Sequence, residues 1–92
     1  MRSVRTRSFR EQHDALPASV RRQAENAFRR WRNDSSHPSL SFKRVDDEKD
    51  IWSVRVSLRY RALCRRTDDD GTTCYVWFWI GPHALYERLL NG

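Results

Sequence analysis

Arg55, Arg59, Arg61 and Arg65 crowd into eleven residues in the second half of the chain, and His83 and Tyr86 follow three residues apart near its end. Side chains two apart along a strand point to one face, which puts Arg59, Arg61 and Arg65 on one side of the run "RYRALCRR". Arg55 lies on the polar face of the preceding run, "IWSVRVSL", with Ser53 and Ser57. Paired antiparallel, the two runs bring Arg55 and Arg61 together, and like charges side by side are unfavourable unless an anion comes between them. A phosphate does so, and arginine's planar fork holds it bidentately. The competing reading is that each arginine answers an acidic turn, at Asp46–Asp50 or Asp68–Asp70. Those turns belong to strand ends whereas the arginines lie mid-strand, which favours phosphate.

His83 and Tyr86 share one helix face at i and i+3. Histidine titrates near neutrality and can exchange a proton with a ribose hydroxyl or a leaving oxygen. Tyrosine can stack on a base or donate to a phosphate. The competing reading is a capping contact and a core ring. The position of both residues beside an arginine-lined sheet keeps the chemical reading open.

Several elements must position these groups. "RSVRTR" reads as a short edge strand, and Ser8 with Glu11 three residues on has the capping-box pattern for a first helix carrying Phe9 and Leu16. Pro17 suits the first turn of a second helix, along which Val20, Ala24, Ala27, Phe28 and Trp31 form an apolar stripe. "NDSSHPS" ends it with turn-forming residues. Strands are expected over 40–45, 51–58, 59–66 and 73–80, with Trp52, Val54, Val56 and Leu58 on the inner face of the second and Gly71 in the turn before the last. "TCYVWFWI" is apolar on both faces and predicts an interior strand, with Trp77 and Trp79 as core. The expected fold is α+β: two N-terminal helices on a small antiparallel sheet of three to four strands, closed by a short C-terminal helix.

Ninety-two residues with no break in composition make one domain, 1–92. The net charge is +6, from sixteen Arg and two Lys against twelve acids, and residues 1–33 alone hold nine Arg and three acids. A basic body with acidic turns favours an anionic partner, nucleic acid first. No apolar run approaches the ~20 residues of a membrane span, and no hydrophobic signal region follows the first arginines, so a cytoplasmic location and no membrane partner are expected. Cys64 and Cys74 lack CxxC or a histidine at ligand spacing, which argues against zinc and for packing roles as free thiols. Three glycines supply no phosphate-cradling loop, GxSxG and HExxH are absent, and residues 46–50 lack calcium-loop spacing. No cofactor is expected.

The run "IWSVRVSLRYRALCRR", an acidic turn and "YVWFWIGPHALYERLL" together resemble the RelE/ParE superfamily of type II toxin–antitoxin toxins, nearest its HigB-like members. "LPASVRRQAENAF" resembles the second helix of that family and "HPSLSFKRV" its lead into the sheet, so the resemblance covers nearly the whole chain. It implies a ribosome-dependent mRNA endonuclease that works without metal: basic strand residues hold the scissile phosphate, the 2′-hydroxyl attacks in line, and a 2′,3′-cyclic phosphate results. By position Arg61 matches the phosphate-binding arginine, Arg55 a basic residue on the preceding strand, and His83 and Tyr86 the C-terminal polar pair. Lys43 matches a basic residue on the first inner strand and, with Arg44, Arg59 and Arg65, is expected to bind RNA. His83 is the first choice for the general base, with Glu48 and Glu87 as alternatives. The implied partners are a cognate antitoxin, the ribosome and mRNA. ParE-type members act on DNA gyrase instead, and a non-catalytic RNA- or antitoxin-binding module is a third class that the fold alone does not separate.

Overall fold

The computed structural model describes residues 2–91. In chain order it contains β1 (Arg2–Arg5), α1 (Arg7–Asp14), α2 (Ala18–Asn33), a 3-10 turn (Pro38–Leu40), β2 (Lys43–Asp46), β3 (Ile51–Arg55), β4 (Tyr60–Asp69), β5 (Thr72–Pro82) and α3 (His83–Asn91). The strands form one sheet in the order β1-β5-β4-β3-β2. The sheet is therefore five-stranded and mixed, not antiparallel with three or four strands, because β1 lies parallel to β5 along the edge that the last strand would otherwise expose. The α+β class stands.

Helix α1 is capped two residues before the expected Ser8. The Thr6 N–H still donates to the Trp77 carbonyl at 2.9 Å, so the chain is bound to the sheet up to that residue. It then turns at once, and the Thr6 hydroxyl accepts the Phe9 N–H at 3.1 Å. Ser8 is consequently inside the helix, and Glu11 pairs with Arg7 rather than closing a capping box. Pro17 flanks α2 instead of opening it, and its carbonyl accepts from both Val20 and Arg21.

The apolar stripe of α2 faces the sheet as its spacing requires, with Val20, Ala24, Ala27 and Trp31 buried. Two alanines let the helix approach closely, and Trp31 fills the space beyond them. Its ring meets Tyr75, Trp77 and Phe42 edge-on at 5.0, 5.1 and 5.7 Å, a favoured aromatic geometry. Arg5 ties the layers together, holding Glu25 through two bonds of 3.0 and 2.9 Å while lying over the Phe28 ring at 4.5 Å. Cys64 is fully buried here and Cys74 half-buried, both as free thiols, and burial pushes the Cys64 thiol far up from its ordinary pKa.

A β-bulge in β5 decides which tryptophan is core. Leu63 pairs with Trp79 but Cys64 with Trp77, so Phe78 is the extra residue and the alternation of faces resets there. Trp77 and Ile80 both turn towards the helices, whereas Trp79 turns to the opposite face and is only half-buried. The expectation that both tryptophans are core is thus met by Trp77 alone. Elsewhere β3 ends at Arg55, and Leu58 sits in the following loop 82% exposed rather than on an inner face. β2 begins only at Lys43, since Leu40 belongs to the 3-10 turn and Ser41 has φ 46°. The β4–β5 hairpin is longer than expected and turns on Asp70 and Gly71, with φ of 50° and 79°. Two positive φ values in a two-residue loop match the twist of the flanking strands. No helix among the described residues is long and apolar enough to cross a membrane.

Candidate functional site

Helices α1 and α2 cover one face of the sheet, and the other face carries two cross-strand rows. Lys43, Ser53, Leu63 and Trp79 lie opposite one another across β2, β3, β4 and β5; two residues further along β3, Arg55 faces Arg61, which faces Gly81. Helix α3 follows directly after Pro82, and the His83 N–H donates to the Arg59 carbonyl at 2.7 Å, which pins the helix start to the loop just before β4. Between α3 and the rows is a cleft of about 320 Å³ lined by Lys43, Ser53, Arg55, Arg61, His83 and Tyr86, with Ser41, Glu87 and Leu90 at its margin.

Arg61 is the best-fixed cation in this cleft. Its Nη1 donates to the carbonyls of Ser57 and Tyr60 at 2.9 and 3.1 Å, so the β3–β4 loop holds the guanidinium in place. Burial first and the adjacent Arg55 charge second hold its pKa below the usual arginine value, while Tyr86 opposes that shift. Arginine nevertheless stays charged in proteins, so the group is a partly desolvated cation beside a second cation. The ion pairs among the described residues leave Arg55, Arg61 and Lys43 without a carboxylate.

The acidic turns are engaged elsewhere. Asp50 accepts from Trp52 Nε1 at 2.8 Å and from Arg66 at 2.9 Å and pairs with Arg44 at 3.3 Å. Asp68 accepts from the Thr73 hydroxyl at 3.0 Å. The competing reading, in which Arg55 and Arg61 answer those turns, does not describe this molecule.

His83 Nε2 lies 3.5 Å from Glu87 Oε1, one helical turn on, and its ring meets Tyr86 at a tilt of 30° with the centroids 5.5 Å apart. Tyr86 is only 7% exposed, so little of its ring is open for stacking on a base. The phenol lies close enough to Arg61 to favour the guanidinium's charge. Chemically the cleft combines fixed positive charge, an imidazole backed by a carboxylate and a floor without an anion. That set can bind a phosphodiester and move a proton beside it.

Of the eight residues singled out from the sequence, Lys43, Arg55, Arg61, His83 and Tyr86 meet in this cleft. Arg44 points to the helix side, over the Trp52 ring at 5.3 Å and between Asp47 and Asp50. Arg59 is an exposed loop residue that contributes its carbonyl. Arg65 is exposed on β4, four residues from Arg61 and so about 13 Å along the strand at ~3.3 Å per residue. Of the alternative bases, Glu87 is in the cleft and Glu48 is in the exposed β2–β3 turn.

Ser53 and Gly81 escaped sequence reasoning. Ser53 is a buried polar residue in the floor, only 2% exposed, and its alternation with Arg55 along β3 was the signal available. Gly81 is glycine because Trp79 lies over it: a Cβ there would come within 2.8 Å of the Trp79 ring. Nothing in the local sequence announces that contact, since it depends on the bulge at Phe78.

The molecule is thus a five-stranded mixed sheet with a helical hairpin on one face and a cation-lined cleft under a C-terminal helix on the other. The chain belongs to the ParE-like toxin domain family, whose model matches residues 18–88. The fold is similar to the YoeB/ParE toxin from Agrobacterium tumefaciens, with a TM-score of 0.67 at 15% identity over 90% of this chain and 99% of that one. It is also similar to a chain in the RelB-RelE antitoxin-toxin complex from Methanococcus jannaschii, with a TM-score of 0.63 at 13% identity over 92% of this chain and 96% of that one. Such identities speak for the fold and not for the chemistry. No curated protein sequence matches significantly.

Proposed function

We propose that this protein is the toxin of a type II toxin–antitoxin pair and that it cuts mRNA on the translating ribosome, in the cytoplasm and without metal. The observation that carries the reading is the Arg55–Arg61 pair: two cations directly opposed across β3 and β4, one fixed by loop carbonyls, with no carboxylate between them. A phosphate completes that arrangement. Its two non-bridging oxygens lie between Arg55 and Arg61, with Lys43 adding a third positive charge from β2.

The ribose 2′-oxygen attacks phosphorus in line, the P–O2′ bond forms and the P–O5′ bond breaks, leaving a 2′,3′-cyclic phosphate and a 5′-hydroxyl end. His83 takes the 2′-hydroxyl proton, Glu87 stabilises the imidazolium that results, and the departing 5′-oxygen takes a proton from solvent. Arg61 stabilises the charge that grows on the phosphoryl group, the largest contribution such a site can make. Tyr86 positions His83 through the tilted contact of their rings and packs beside Arg61. The open cleft orients only part of a nucleotide, so the ribosome is expected to supply the remaining alignment. An antitoxin partner is supported by the likeness to a RelE toxin seen with its antitoxin.

A second reading, inhibition of DNA gyrase, is favoured by the ParE-like description of the family model. The His83–Glu87 contact favours the nuclease, because a protein that only binds gyrase has no use for a proton carrier. The deciding experiment is primer extension on a reporter mRNA translated in vitro with purified protein, alongside Arg61→Ala. Ribosome-dependent cuts that disappear in the variant support the nuclease. Intact mRNA together with inhibited supercoiling establishes the gyrase reading, and intact mRNA with normal supercoiling leaves a non-catalytic binding module.

A further inference from the structure

Arg55 belongs to two clefts. On its other side a groove of about 290 Å³ runs between α2 and the β3–β4 loop, where Gln23 and Arg30 of α2 face Ser39, Ser57 and Arg55 across a floor that includes Leu40 and Val56. Arg30 is held at the rim: its Nη1 donates to Ser39 Oγ at 3.0 Å, and Ser39 Oγ lies 2.8 Å from His37 Nδ1. That nitrogen also accepts the Ser39 N–H at 3.2 Å, so the hydroxyl hydrogen goes to His37 and leaves the oxygen free to accept from Arg30. The chain Arg30–Ser39–His37 orients a guanidinium without neutralising it, and the ion pairs among the described residues give Arg30 no carboxylate. The arrangement repeats the logic of Arg61, a cation fixed by neutral oxygens.

The geometry points to a second phosphodiester subsite: the groove at Arg30 and Ser39 takes the phosphate next to the scissile one, with Arg55 bridging the two. The inference rests on the nuclease reading of the first cleft and makes the ligand a single-stranded RNA chain with consecutive phosphates, not a mononucleotide. The mixed floor suits the ribose between the two phosphates, since half-buried Val56 offers apolar contact and Ser57 a polar one.

The test is equilibrium binding of a 2′-O-methyl hexaribonucleotide, which cannot be cut, measured by fluorescence anisotropy over a range of salt. Wild type is compared with Arg30→Gln, Arg61→Ala and Arg22→Gln, the last an exposed α2 arginine outside both clefts. Each phosphate contact on a single strand contributes a salt slope of about 0.7. Arg30→Gln is expected to weaken binding several-fold and lower the slope by about 0.7, Arg61→Ala to do the same, and Arg22→Gln to do neither. Unchanged affinity in Arg30→Gln, or an equal loss in Arg22→Gln, overturns the subsite. A loss with Arg30→Gln but none with Arg61→Ala sinks the nuclease reading and keeps RNA on the groove. If wild type binds no hexanucleotide even at low salt, both fall.

Discussion

Strands β2, β3 and β4 carry two pairs of arginines on opposite faces of the same sheet, Arg44 with Arg66 and Arg55 with Arg61, and the pairs have opposite fates. On the helix side Arg44 and Arg66 both lie over the Trp52 ring at 5.3 Å, and Asp50 reaches both while accepting the indole N–H. On the other side Arg55 and Arg61 face each other with no carboxylate, and Arg61 is held by backbone oxygens alone. Residue type is the same in both places. What differs is whether the fold supplies the counter-charge: where it does, arginine is structural, and where it withholds one, the charge stays unneutralised, as the proposed phosphate site requires.

Removing Arg61 gives the largest expected effect. Arg61→Ala should lower the cleavage rate by about 10²–10³-fold, the range for loss of one charge-stabilising group. Its thermal midpoint should hold or rise, because a like-charge contact disappears. Melting curves alongside primer extension check both halves, and a large drop in the midpoint would mean the pair is structural after all.

Supplying the missing carboxylate converts one face into the other. Ser53→Asp places an acid in the cleft floor beside Lys43 and the arginine row, and cleavage should fall by at least about 10-fold while the fold is kept. Undiminished cleavage would show that the cations do not act on phosphate.

The helix-side pair should respond to acid, not to substrate. Trp52's hydrogen bond first, then Arg66 and Arg44, hold the Asp50 pKa below the usual aspartate value, and Arg5 does the same for Glu25. A depressed folded pKa contributes stability that is complete above the unfolded value, about 4, and is lost as pH falls through the folded one. Asp50→Asn should therefore lower the midpoint at neutral pH, flatten its decline below about pH 4, and leave cleavage within about 2-fold of wild type, since no charge-stabilising group of the cleft is removed. Melting curves between neutral and acid pH measure this. A large loss of cleavage would link the two faces.

The mildest substitution in the cleft is Tyr86→Phe, which keeps the tilted ring contact with His83 and removes only the hydroxyl. A loss of less than about 10-fold fits a positioning role, and a loss approaching that of Arg61→Ala would make the hydroxyl a proton carrier. Single-turnover cleavage at several pH values separates these outcomes.

Much of this was legible from local pattern. The stripe from Val20 to Trp31 specified a helix and its buried face, because a 3.6-residue period leaves one solution. The alternation in β3 and β4 placed Arg55 and Arg61 on one face, and the antiparallel register then made them partners. The errors share a cause. Ser8 lost the capping role because Thr6 is still bonded to β5, and Trp79 left the core because a bulge depends on the partner strand. Arg44 reads like Arg55 in the sequence, and only the return of the chain at Asp50 separates them.

The sequence by itself determined the elements, the basic surplus and the residues able to bind phosphate and carry a proton, since periodicity and side-chain chemistry are local properties. Tertiary structure decided which cations remain unneutralised, that β1 seals the edge of β5, and that position 81, beneath the Trp79 ring, takes a glycine. Those outcomes depend on contacts between residues distant in the chain, and a carboxylate's reach of a few ångströms is set by folding, not by spacing.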